Sequence, residues 1–264
     1  APLTIATTAS FKKHVRDPEV RAYFGAVLAD EVHLFAAATF FACIDPMPAK
    51  YRVGVSDDAR RKDRKEFLIY DLFGSVEVEV KDAELIAAKA VLDVECLIVP
   101  TEFEAPWYGV PEDEDDEKRL DFGRLVGEMS IDPARRALVE RIIASELKDG
   151  RQIVFMVHER EHVRDLWATT SKYAPSGYLL GGQGADAREF DRTVKGLEEG
   201  TIRAGVGTYQ ACGTGIDIPS LEVVVASPPC MNNRQRFRQG RGRACRAPPG
   251  KTVARFYVLW DRHV

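Results

Sequence analysis

Apolar positions along the chain follow two alternating patterns. Short aliphatic or β-branched runs bounded by turn residues predict strands, and apolar positions three and four apart predict helices. "GAVLADEV" (25–32) reads as a buried strand ending in carboxylates, "YRVGVS" (51–56) as a second and the alternating "SVEVEV" (75–80) as a third. "DAELIAAKAVL" (82–92) has helical spacing. Further on, "DPARRALVERIIASELKDG" (132–150) predicts a long helix with an Asp cap, Pro at its first position and a closing Gly. "QIVFMV" (152–157) is an unbroken apolar run of the kind covered on both faces in a parallel sheet. A helix at 159–170, a strand at 176–182, a helix at 189–200 and strands at 202–209, 221–227 and 254–260 complete the series. Strands alternating with helices predict βαβ units and a mostly parallel sheet, hence an α/β fold.

Six consecutive acids, "EDEDDE" at 112–117, break this rhythm. A packed element does not tolerate that run, so it predicts an exposed linker. The expected organisation is one α/β half over 1–110, an acidic linker over 111–119 and a second α/β half over 120–264. The formal net charge of -4 conceals an asymmetry. Residues 227–264 hold nine Arg or Lys against the single acid Asp261, while the remainder is strongly acidic. A basic segment on an acidic body is expected where a small region meets phosphates. The longest strongly apolar run, "LFAAATFFACI" (34–44), is too short to cross a bilayer. No basic-then-apolar leader opens the sequence. The five cysteines are scattered without a C-x-x-C pair, which reads as reduced thiols with no zinc expected. A soluble cytoplasmic or otherwise intracellular protein, nucleoid- or nucleus-associated, is the expectation, with no membrane partner.

Three stretches carry candidate chemistry. "DEVH" (30–33) ends an apolar strand, where ligands of open parallel sheets sit. Two adjacent acids there suit nucleotide hydrolysis, one holding Mg²⁺ and the other handling the attacking water. "VGTYQACGTGIDIP" (206–219) follows a strand with small residues that let a backbone approach phosphates, and with an acid able to accept from a ribose hydroxyl. "QRFRQGRGRACR" (235–246) contains Gln239-x-x-Gly242-Arg243-x-x-Arg246. Arginines three apart on one helix face would aim two guanidiniums at one phosphate chain. By contrast "CRAPPGKT" (245–252) is not a phosphate-binding loop. It has Cys245 where a glycine is required, and a strand pattern follows it where a helix is required. Lys251 then reads as an exposed turn residue.

Together these stretches resemble the superfamily 2 helicases, notably the XPB-like and UvsW-like branch, over essentially the whole chain. "IATTAS" (5–10) is similar to motif Ib, "DEVH" to motif II, "GVSDDA" (54–59) to motif III, "QIVFMVHEREHVRDL" to motif IV, "GTYQACGTGIDIP" to motif V and "QGRGRACR" to motif VI. The resemblance implies two RecA-like lobes and ATP with Mg²⁺ as cofactors. It implies nucleic acid, DNA before RNA, as partner. It makes Asp30 the metal ligand and Glu31 the hydrolytic base, with His33 linking nucleotide state to the second lobe. Gly215 and Asp217 would touch the nucleotide. Gln239, Arg243 and Arg246 would reach the γ-phosphate, and Thr7, Thr8, Thr208 and Arg61 the nucleic acid.

Two departures qualify the resemblance. Motif III reads Ser56-Asp57-Asp58 in place of Ser/Thr-Ala-Thr, and its acids would repel phosphates unless turned outward. No G-x-x-x-x-G-K-[ST] occurs, so a C-terminal fragment lacking motif I is expected. Its truncated first lobe would expose an edge strand and apolar surface that invite association. Rival readings are a non-hydrolysing nucleic-acid-binding module and the motor subunit of a restriction or phage-defence system.

Overall fold

A computed structural model describes residues 3–57, 63–109, 121–227 and 234–264. Contacts divide the chain into two compact units, Ala1–Glu79 and Val80–Val264.

The first unit contains helices α1 (Thr8–Phe11) and α2 (Pro18–Tyr23), strand β1 (Ala26–Ala29), a 3-10 helix (Val32–Ala36), α3 (Ala38–Ile44), β2 (Tyr51–Gly54) and α4 (Phe67–Phe73). β1 and β2 pair in parallel, Ala29 opposite Gly54. Val32, Phe35, Ile44, Met47, Ile69 and Leu72 form the core beneath them. "SVEVEV" is not a strand: residues 76–80 carry no ladder, and Val76, Val78 and Val80 are exposed. Alternating β-branched residues supply propensity, but a strand also needs a neighbour with which to pair.

The second unit runs α5 (Asp82–Ala87), β3 (Glu95–Glu104), α6 (Phe122–Ile131), α7 (Pro133–Lys148), β4 (Ile153–Val157), α8 (Arg160–Thr170), β5 (Ser176–Leu179), α9 (Ala185–Glu198), β6 (Ala204–Thr208), α10 (Tyr209–Gly215), β7 (Val223–Ala226), α11 (Arg234–Ala244) and β8 (Arg255–His263). Six strands form one sheet in the order β3-β8-β7-β4-β6-β5, every pair parallel. The unbroken apolar run of β4 is buried along its length. Alternate residues serve opposite faces: Val154 and Met156 join Leu197, Cys212 and Phe256, while Ile153, Phe155 and Val157 join Val139, Ile143 and Val163. This two-sided covering is why β4 lacks polar alternation. Asp132 caps α7 by accepting from the Arg135 N–H, and Pro133 opens the helix.

β3 was not legible as a strand. It contains Pro100, which removes a ladder donor. As the edge strand of the sheet it needs donors on one side only, and it pairs with β8 from Glu95↔Arg255 to Thr101↔Asp261. This pairing also moves the boundary. Residues 80–109 belong with the second unit, so the division falls between Glu79 and Val80. The acidic run, where the sequence places the linker, lies outside the described residues. Because β1-β2 and the six-stranded sheet are separate, no sheet continues across that division among the described residues.

Candidate functional site

In the first unit, β1 delivers "DEVH" to its C-terminal end. Asp30 is exposed, and its Oδ1 accepts from the Glu31 N–H at 2.8 Å. Glu31 takes a left-handed conformation, φ 54°, which costs a non-glycine residue on the order of 1–3 kcal/mol. Val32 N–H donates to Val55 O at 3.1 Å and Val55 N–H to Ala29 O at 2.9 Å, holding the loops after β1 and β2 side by side. The Nδ1 of buried His33 consequently stands 3.1 Å from Glu31 Oε2 and 3.0 Å from Ser56 Oγ. The structure thus brings "DEVH" and "GVSDDA" together. Asp57 is exposed, and donor atoms of Glu31, His33 and Asp57 lie within 4.8 Å of one another. An exposed all-oxygen ligand such as Asp30 suits Mg²⁺ chemically. Thr7 caps α1, accepting from the Ser10 N–H at 3.2 Å, and Thr8 is the first residue of that helix. Arg61 lies outside the described residues.

In the second unit the candidate residues divide: Thr208 stands at the C-terminal ends of β4 and β6, whereas Asp217 and Arg246 lie on the segments that lead into β7 and β8, Arg246 bridging Val91 ahead of β3. Val157 pairs with Thr208, and Ser227 N–H donates to Met156 O at 3.0 Å. Thr208 caps α10, its hydroxyl accepting from the Ala211 N–H at 3.2 Å. Gly215 closes α10. The glycine spacing of this strand matters because a Cβ at Gly207 would lie 2.9 Å from Leu179 O.

Arg243 and Arg246 of "QGRGRACR" do not share a helix face. α11 ends at Ala244, because Pro248 and Pro249 follow and Arg246 enters an antiparallel bridge with Val91. Arg243, half-buried in the last turn, donates to the carbonyl oxygens of Gly213 and Ile216. Burial pushes its pKa down. Arg246 lies exposed and pairs with Asp217 at 3.3 Å. Gln239 rides on α11, its side chain outside those described. Lys251 is not a free turn residue: its Nζ donates to the carbonyls of Ala244, Leu221 and Pro219 at 2.6, 2.6 and 3.3 Å. Burial pushes its pKa down to about 8. β8 begins at Arg255 after it, in keeping with "CRAPPGKT" not being a phosphate loop.

The helicase conserved C-terminal domain matches residues 134–248, from α7 past α11. Over those residues the chain carries a helicase C-terminal domain, and the helicase resemblance stands with that match. The vaccinia virus protein named transcript termination protein A18 is 30% identical over 120 residues, 45% of this chain and 24% of that protein. The curated relatives are matched over about a quarter of their length or less. The fold is also that of solved helicases. The Pyrococcus furiosus Hef helicase domain covers 98% of this chain and 76% of its own at TM-score 0.54 and 14% identity. Saccharomyces cerevisiae Dbp5, solved bound to RNA and ADP BeF3, covers 90% of this chain and 54% of its own at TM-score 0.56 and 14% identity. The six-stranded parallel sheet accordingly has the fold of a RecA-like lobe. Among the described residues, no helix is long and apolar enough to cross a membrane.

Within this unit the sequence reading missed a buried polar cluster. Arg135, 2% exposed, donates from Nε to Asp261 Oδ1 at 3.0 Å and from an Nη to Ser227 Oγ at 2.9 Å. Thr101 donates to the same Asp261 oxygen at 2.6 Å. The cluster ties α7, β3 and β8 to Ser227, the residue that follows β7. Its signal was present: Arg135 and Glu146 fall on the same helical stripe as Val139, Ile142 and Ile143. Charged residues on a core-facing stripe imply buried partners.

Proposed function

We propose that the chain supplies motor elements of an ATP-dependent superfamily 2 helicase or translocase acting on nucleic acid, DNA before RNA. The observation that carries this reading is the coupling of motif V to motif VI within the matched domain, through Arg243 on the Gly213 and Ile216 carbonyls and Arg246 on Asp217. Asp30 would hold Mg²⁺ through water, and Glu31 would orient and deprotonate the attacking water. His33, in contact with Ser56, would relay the state of that pair to motif III. Mg²⁺, when bound, neutralises charge on the β- and γ-phosphoryl oxygens. Arg246, exposed and released from Asp217, would reach the γ-phosphate together with Gln239. Arg243 would act as a positioning residue, holding Gly215 and Asp217 where a nucleotide passes. Thr7, Thr8, Thr208 and Arg61 would contact the nucleic-acid backbone. The RNA and ADP BeF3 in the Dbp5 structure support a nucleotide and nucleic-acid role for this fold.

Phosphoryl transfer depends on positioning, and the G-x-x-x-x-G-K-[ST] pattern of a phosphate-cradling loop does not occur in these 264 residues. Phosphate release measured with malachite green, with and without single-stranded DNA, is therefore expected at background for the 264 residues. A parent protein bearing that loop is expected to turn over, and to lose on the order of a thousandfold with Arg246→Ala or Glu31→Gln. Robust turnover by the 264 residues would place the nucleotide site elsewhere. Normal turnover by the Arg246→Ala parent would reduce "QGRGRACR" to a nucleic-acid patch.

A further inference from the structure

We propose that Glu31, His33 and Asp57 form a binding site for one divalent cation of the Zn²⁺ or Mn²⁺ type, distinct from the Mg²⁺ position at Asp30. Three chain positions contribute one donor each: the left-handed turn after β1, the 3-10 helix and the loop after β2. The β1-β2 register and the Val32–Val55 and Val55–Ala29 backbone bonds set their spacing, so the cluster is a product of the fold.

The distances fit a shared ion. Ligands about 2.1 Å from one cation stand about 3 to 3.5 Å apart. His33 Nδ1 and Glu31 Oε2 are already at 3.1 Å. Asp57 offers a carboxylate oxygen within 4.8 Å of both, and a side-chain rotation closes the remainder. Ser56 Oγ, 3.0 Å from Nδ1, borders the same space. The site is half-built in burial as well: the His33 side chain is 11% exposed and that of Glu31 48%. An ion would therefore be gripped by a fixed imidazole and reached from solvent through the carboxylates.

The donor set chooses the ion. Mg²⁺ and Ca²⁺ take all-oxygen shells, whereas imidazole suits borderline transition metals. Three protein ligands of nitrogen and oxygen leave a coordination position for water. Cysteine takes no part, so the scattering of thiols along the chain does not bear on this site. Asp57 is the decisive residue, because it supplies the second carboxylate. An ion held here would also occupy Glu31 and thereby block the base of the proposed hydrolysis; that consequence rests on the proposed function, whereas the binding does not.

The test is calorimetric titration of the chain with ZnCl₂ and with MnCl₂ in excess Mg²⁺, for the wild type, Asp57→Asn and His33→Gln. The expected result is one Mn²⁺ per chain, a metal that thiols do not draw. Asp57→Asn, at an exposed position that leaves the fold intact, should weaken both metals by about 10–100-fold. Paramagnetic broadening by Mn²⁺ should fall first on the His33 ring. Absence of saturable Mn²⁺ binding, or equal affinity in wild type and Asp57→Asn, would overturn the proposal. Broadening centred on Asp30 with His33 sharp would do the same. Because no nucleotide enters the assay, its outcome is independent of whether the chain belongs to an ATP-driven motor.

Discussion

His162 on α8 should make the second unit acid-sensitive in a way that one substitution removes. Its side chain is buried, 9% exposed, and Nδ1 has no hydrogen-bond partner among the described residues. Burial, then the positive charges of Arg135 and Arg136 and the neighbouring His158, push its pKa from 6.5 down to about 4. In the unfolded chain the ring binds a proton near its ordinary value; in the folded chain it resists until about pH 4. Between those values the unfolded state carries more protons, so stability falls as pH falls through this window. Above about pH 6.5 the contribution is fully present. Integrated over the window, the loss is about 3 kcal/mol. Urea unfolding at several pH values between 7 and 4, compared for wild type and His162→Gln, isolates this term because other titrating groups are common to both. The three tryptophans, Trp107, Trp167 and Trp260, all lie in the second unit, so selectively excited tryptophan fluorescence reports on it alone. Wild type should lose about 3 kcal/mol more than His162→Gln across the window. Parallel stability–pH curves would refute the reasoning, because the ring would then titrate alike in both states.

The buried Arg135–Asp261 pair should behave non-additively. Arg135→Met or Asp261→Asn alone is expected to cost about 3–5 kcal/mol by leaving a buried charge unmatched, with Arg135→Met/Asp261→Leu costing less than the sum; urea titration measures all three. Gly177→Ala should cost about 1–3 kcal/mol, because its Cβ would lie 2.0 Å from Thr193 Oγ1 and 2.9 Å from Thr193 Cβ. Thr193→Ala in the same chain should restore part of that loss in thermal melts. Nucleic-acid affinity measured by fluorescence anisotropy should fall steeply with salt, with a log–log slope of about -3 to -5 for about four to six neutralised phosphates. A flat salt response would contradict phosphate contacts as its source.

The α/β class, the span of α7 with its cap and proline, and the buried β4 were all legible from neighbouring residues, because backbone propensity and hydrophobic period are local properties. Residues of the "DEVH", "GTYQACGTGIDIP" and "QGRGRACR" stretches could be singled out for the same reason: their spacing is written along the chain. What each side chain touches was not. Arg243 and Arg246 read as neighbours on one helix face, until the helix end after Ala244 separated them onto Gly213, Ile216 and Asp217. β3 resembled no strand, because its pairing depends on β8, 160 residues away. "SVEVEV" resembled one and found no partner. The approach of Asp57 to His33 likewise depends on the parallel pairing of β1 with β2. Pairing, burial and charge compensation are set by contacts between distant segments, and these arise only when the chain closes its sheets.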